Sequence, residues 1–187
     1  MADHHDPAAP GELDRVRQFL NTRFIEEGEE LVADAAALSA WLREHGLLDG
    51  DATLRESDVA EAHAFREALR AYAETNRGEP LPGEARDVLD RIGAHANLGF
   101  AYDDATGLFS ITHQARGIDA AFARLLRIVY DAQREGTWSR FQTCSRATCR
   151  WAFYDRSKNR SAQWCDMAIC GNREKAKRRR TRVRRAA

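Results

Sequence analysis

Cys144-Ser145-Arg146-Ala147-Thr148-Cys149 is answered, after fifteen intervening residues, by Cys165-Asp166-Met167-Ala168-Ile169-Cys170. These are all 4 cysteines of the 187-residue chain, and they lie in a stretch too short to bury a core of its own. Four clustered thiols in a reducing compartment serve as metal ligands or reactive groups more often than as disulfides. Two thiol pairs suit a closed tetrahedral site for one structural zinc ion, held by Cys144, Cys149, Cys165 and Cys170. An iron–sulfur cluster or a redox dithiol is the alternative. Metal binding and folding of so small a unit are expected to be one event.

Between the pairs, Trp151, Phe153 and Tyr154 have the character of a strand, Arg156 to Arg160 that of a polar turn, and Gln163-Trp164 leads back to Cys165. A hairpin inside the fifteen-residue interval is expected, with the aromatic residues as a miniature core rather than a base-stacking platform. Gly171 and Asn172 permit a bend into a helix from about Arg173, which places Cys170 at a helix N-terminus, where a thiolate is favoured. This order of elements resembles a treble-clef zinc finger.

Working outward, the charge divides at Arg140. Residues 1–140 hold 15 Arg against 26 carboxylates, a net of −11, whereas residues 141–187 hold 14 Arg and Lys against Asp155, Asp166 and Glu174, a net of +11. A basic segment of this strength is aimed at a polyanion or neutralised by its own acidic partner. Cations fall on every side of the terminal helix, so it has no apolar stripe with which to pack. Candidate nucleic-acid contacts are Arg156, Lys158, Arg160, Arg173, Lys175, Lys177, Arg178, Arg179, Arg180, Arg182, Arg184 and Arg185. Docking back onto the acidic part, or plain solvation, is the alternative for these groups.

Upstream, apolar residues recur at helical spacing over Gly11–Ile25, around Leu38, Trp41 and Leu42, from Ser57 to Asn76, around Val88, Leu89 and Ile92, and over Ile118–Arg134. Asp34 and Ser57 read as N-caps and Gly46 as a stop. The period changes to two at Phe100-Ala101-Tyr102 and Leu108-Phe109-Ser110-Ile111, which flank a polar turn closed by Gly107, and this predicts one β-hairpin. The expected fold is mainly α: a disordered lead over 1–10, a helical domain with one hairpin over 11–136, and a zinc finger with a basic helix over 137–187. Asn21, Thr22 and Arg23 form a polar cluster that reads as a cap or inter-helix hydrogen bond, with a small-ligand pocket as the alternative.

Enzyme motifs are missing where their chemistry would need them. The six histidines lie between His4 and His113, outside the cysteine segment, so the His-x-Glu with Pro-Cys-x-x-Cys of a zinc deaminase cannot be assembled. No His-Glu-x-x-His and no phosphate-cradling glycine loop occurs, and Asp103-Asp104 sits in a turn. No apolar run approaches the roughly 18 residues of a membrane span, and the N-terminus lacks the features of a secretory signal. The expectation is a cytoplasmic protein without a membrane partner.

Cys170-Gly171-Asn172-Arg173 spells the signature of the CGNR zinc finger family, and Phe153 to Arg160 and Trp164-Cys165 are similar to the segments that precede it there. Phe19 to Arg23, Trp41-Leu42 before Gly46, and Phe65 to Arg70 resemble the helical ABATE domain that accompanies this finger in bacterial proteins. The resemblance implies a stress-induced transcription regulator that uses zinc and binds DNA, with the four cysteines as ligands and no catalytic residue. Double-stranded DNA is the first expected partner, at the nucleoid, with a homodimer as a further expectation. An RNA-binding protein or a zinc-stapled protein-interaction module stands as the alternative.

Overall fold

The computed structural model describes residues 8–186, and the side chains to Thr181. Arg182, Arg184 and Arg185 therefore have side chains outside the described residues, and of the lead expected over 1–10 only Ala8–Pro10 is described. Ala9 is buried, and its N–H donates to Asp14 (2.7 Å).

Five helices make the acidic part: α1 (Leu13–Leu20), α2 (Ala35–Glu44), α3 (Glu56–Glu74), α4 (Gly83–His95) and α5 (Gly117–Arg134). Between α1 and α2, β1 (Arg23–Phe24) and β2 (Glu29–Glu30) form a minimal antiparallel pair. The first helix ends well short of Ile25 because Asn21 turns out of it to bond elsewhere. Asp34 caps α2 as expected, accepting from the Ala37 N–H at 2.8 Å. Ser57, by contrast, lies inside the first turn of α3, where the Asp58 carboxylate instead accepts from the Arg55 N–H at 2.7 Å.

The longest helices, α3 and α5, face each other across the core. Phe65 meets Phe122 at 4.7 Å between ring centroids, and Phe19 of α1 joins them at 6.1 Å from Phe65. All three rings are fully buried. The expected hairpin is present as β3 (Leu98–Asp103) and β4 (Leu108–His113), with Gly107 at a φ of +68° closing its turn.

The finger departs from expectation in its pairing. Strand β5 (Phe141–Thr143) precedes the first cysteine and pairs antiparallel with β6 (Ala152–Tyr154), so the hairpin encloses the first cysteine pair instead of lying between the two. Residues 155–166 form a loop, and Gln163 returns only as an acceptor for the Ser145 N–H (2.8 Å). Phe141 and Ala152 are fully buried and belong to the same apolar core as Phe65 and Phe122. The root of the finger is thus built into the helical part. A π-helical turn (Met167–Gly171) leads into α6 (Asn172–Ala186).

Candidate metal centre and basic groove

Cys144, Cys149 and Cys170 are delivered by different local devices. Cys144 follows directly on β5, and its N–H donates to the Trp151 carbonyl at 2.8 Å, which holds the base of the knuckle closed. The Cys149 and Arg150 N–H groups both return to the Arg146 carbonyl (2.8 and 3.1 Å), and Arg150 takes a left-handed φ of +49° to re-enter β6. Four intervening residues require this wider loop. On the other side, Asp166 caps the π turn through the Ile169 N–H (2.8 Å), and the Cys170 and Gly171 N–H groups bond the Asp166 carbonyl at 2.9 and 3.1 Å. The five-residue turn absorbs the second x4 spacing, and π turns of this kind often mark functional positions. Met167 packs so closely here that a Cβ on Gly171 would lie 2.5 Å from its sulfur.

The four Sγ atoms lie within 4.8 Å of one another, with Cys149–Cys165 at 3.7 Å and Cys165–Cys170 at 3.8 Å. None is in a disulfide. A tetrahedral ion with bonds of about 2.3 Å to sulfur separates its ligands by roughly 3.8 Å, so the donor set fits zinc in chemistry and in size. Trp151 and Trp164 pack around the cluster as the expected miniature core, but Ile169 stands there in place of Phe153.

The electrostatics of the thiols point the same way. Hydrogen bonds from Cys149 and then Cys165 pull Cys144 down to about 2, and the hydrogen bond to Cys144 in turn pushes Cys149 up to about 12. Contacts with Cys144 and Cys149 raise Cys165, while burial first, and then the charge on Cys144, raises Cys170. By itself the cluster accommodates one thiolate and resists the rest. A dication is what lets four ionise together. The centre is a zinc-finger site for one structural zinc ion.

Two regions surround it. Arg146, Thr148, Arg173, Lys177, Arg180 and Thr181 line most of a groove of about 490 Å³ between the knuckle and α6. Lys175, Lys177, Arg178, Arg179 and Arg180 make no ion pair with another of the described residues. Arg173 does, and so does Arg146, a residue the sequence reading did not single out. Both hold one carboxylate of the helical part, Glu26: Arg146 contacts both oxygens at 2.5 Å, and Arg173 contacts them at 3.0 and 3.1 Å. The hydrogen bonds from Arg146 keep the Glu26 carboxyl below its usual range. Glu26 sits in the run Glu26-Glu27-Gly28-Glu29-Glu30, whose composition reads as a solvated acidic face.

Arg156, Lys158 and Arg160 do not line that groove. Arg156 donates to the Ala8 carbonyl at 2.7 Å and lies over the Tyr154 ring, Arg160 approaches the Ser139 hydroxyl at 3.5 Å, and Lys158 is exposed. They belong to the root of the finger, where Arg140 bonds the Asp155 and Ser157 carbonyls (3.0 Å each).

The polar cluster after α1 turns out to join the finger to the helices. Asn21 donates to the Ala152 carbonyl at 2.9 Å and accepts from its N–H at 2.8 Å, as a neighbouring strand would. Thr22 donates to the Phe19 carbonyl and accepts from Arg66, and Arg23 donates to the Gly28 carbonyl. Arg70, fully buried, donates to the carbonyls of both Leu20 and Arg150.

Two family models match the chain. One, ABATE, described as "Putative stress-induced transcription regulator", covers residues 13–135, and the other, the CGNR zinc finger, covers 140–183. Both are regulator and zinc-finger types and not enzyme families. No curated protein matches the chain.

Proposed function

The chain belongs to the ABATE family and carries a CGNR zinc finger, and on that premise we propose that it is a zinc-dependent transcriptional regulator whose finger binds double-stranded DNA. The observation that supports this best is the groove, where knuckle and helix cations converge on a space of about 490 Å³ that phosphate oxygens can enter. Zinc gives the knuckle its shape, and α6 brings Lys175, Lys177, Arg178, Arg179 and Arg180 to the phosphates or into the major groove. Arg182, Arg184 and Arg185 extend the same charge run. Arg156, Lys158 and Arg160 make a second, flanking contact from the root loop. We divide the labour at about residue 136, with the helical part receiving a signal or joining two copies. No helix among the described residues is long and apolar enough to cross a membrane, and the proposed place of action is the bacterial nucleoid.

Titration of labelled duplex at several salt concentrations tests the reading. Each phosphate neutralised contributes a slope of about −0.9 in log affinity against log salt, so a groove plus helix engaging several phosphates gives a steep line. Cys170→Ser, or zinc chelation, is expected to flatten it. Equal or tighter binding of single-stranded RNA of the same length would replace DNA by RNA as the partner, and failure of both, with binding of acidic peptide, would leave a protein-interaction module.

A further inference from the structure

One carboxylate of the helical part is held against the basic groove. Glu26 lies in the turn between β1 and β2, and its two oxygens are taken by guanidinium groups from two separate elements of the finger. Arg146 of the knuckle grips them side by side, Nη1 on one and Nη2 on the other, at 2.5 Å each, and Arg173 in the first turn of α6 reaches both at 3.0 and 3.1 Å. A carboxylate and a phosphate offer an arginine fork the same pair of oxygen acceptors. Two cations here answer one anion, so a positive charge is left over. Both arginines also line the groove, which continues past them to Thr148, Lys177 and Arg180.

The Glu26 contact is not what fastens the two parts together. The same ribbon meets the finger through Phe24, whose ring lies 5.1 Å from that of Trp151, and it is tied to α3 by Glu30 on Arg66. Away from the groove, Arg150 pairs with Glu74 at 3.0 Å, Asn21 holds Ala152, and Arg70 spans Leu20 and Arg150. Glu26, by contrast, is a third exposed, which makes its ion pairs weak and open to competition. A polyanion can take its place without loosening the finger.

We propose that Arg146 and Arg173 form a phosphate-binding pair, and that Glu26 occupies it as a tethered competitor until a nucleic-acid phosphate displaces it. The proposal rests on the DNA-binding reading for the source of the phosphate. It adds Arg146 to the contacting residues and gives the helical part a direct hold on the finger. By linkage, an effector that draws the β1–β2 turn off the finger strengthens duplex binding, and duplex strengthens binding of that effector by the same factor.

Two titrations of the full, zinc-loaded chain test it. Against labelled duplex, Glu26→Gln is expected to bind about three- to fivefold tighter than the unaltered protein. Glu27→Gln removes the same charge from the neighbouring exposed position and should leave the affinity within about twofold. In a chain that also carries Arg146→Gln and Arg173→Gln, Glu26→Gln should have no further effect. Bound zinc, measured in each variant, distinguishes loss of the pair from loss of the knuckle. In the second titration inorganic phosphate is added without nucleic acid, and the Nε–H signals of Arg146 and Arg173 should shift at lower phosphate concentration in the Glu26→Gln chain than in the unaltered one. Duplex affinity that is the same with and without Glu26→Gln, or that Glu27→Gln raises as much, overturns the proposal and leaves the DNA-binding reading standing. Arginine signals that respond to phosphate in a chain that binds no duplex do the reverse, keeping the pair and its competitor while removing nucleic acid as the source of the phosphate.

Discussion

The molecule holds two cores of opposite chemistry. The helical core runs from Ala9 to Ala152 and is apolar, with Phe19, Phe65, Phe122 and Phe141 fully buried in it. The second is a knot of sulfur, built on Cys144, Cys149 and Cys170 with Cys165, Trp151, Trp164 and Ile169 around it. One is held by area removed from water, the other by ligand bonds that exist only when the metal is present. Their boundary does not coincide with the start of the finger. It runs between Phe141 and Ala152 on one side and the cysteines on the other, so β5 and β6 belong energetically to the helices.

The largest effect should come from removing zinc. Structural zinc sites contribute on the order of 10–16 kcal/mol at neutral pH, and chelation is expected to abolish amide protection at Cys144, Cys149 and Cys170 while leaving α3 and α5 protected in hydrogen exchange. Equal loss across both regions would erase the distinction between the cores. Phe122→Ala is the converse, costing about 3–5 kcal/mol in thermal unfolding while zinc affinity, measured by competition, should hold in the folded protein.

Next comes the boundary itself. Asn21→Ala leaves the Ala152 N–H and carbonyl without their partner and should cost about 1–3 kcal/mol, with increased exchange at Ala152 and no change at Cys170. Smaller still is the pH effect at Glu30, whose carboxylate is bonded by Arg66 at 2.6 and 2.7 Å. Burial raises this carboxyl, but Arg66 outweighs it and holds the group below the usual range of a free glutamate. The stabilisation is therefore fully present above pH 4.5 and is lost as pH falls through the lowered value in the folded protein, a dependence that Glu30→Gln should remove from acid-unfolding curves. Glu26→Gln should barely change stability, since the carboxylate is a third exposed, but should tighten duplex binding a few-fold, about 1 kcal/mol or less, by freeing Arg146 and Arg173. Weaker binding would mean that Glu26 positions the arginines instead of occupying them.

How much was legible follows from how far apart the partners are in the chain. The five helices and the β3–β4 hairpin announce themselves through periods of 3.6 and 2 within single windows, and the zinc ligands through residue type alone. The β5–β6 pairing was not readable in this way. Strands of three residues have no period, and the sequence interval between the cysteine pairs looked the natural place for a hairpin because Phe153 and Tyr154 stand in it. Asn21 and Ala152 are 131 residues apart, and Glu26 and Arg146 are 120 apart, so no local signal connects them. Glu26 was further hidden because a run of acidic residues reads as a water-facing surface.

Arg70 has one consequence for how the parts move. A guanidinium is a flat, rigid plate, and this one is clamped between the last turn of α1 and the residue immediately after Cys149. It cannot tilt without losing one carbonyl or the other. Any rotation of α1 against α3 is therefore handed on to the knuckle as a displacement instead of being absorbed between them, which makes the helical part and the sulfur knot a single lever.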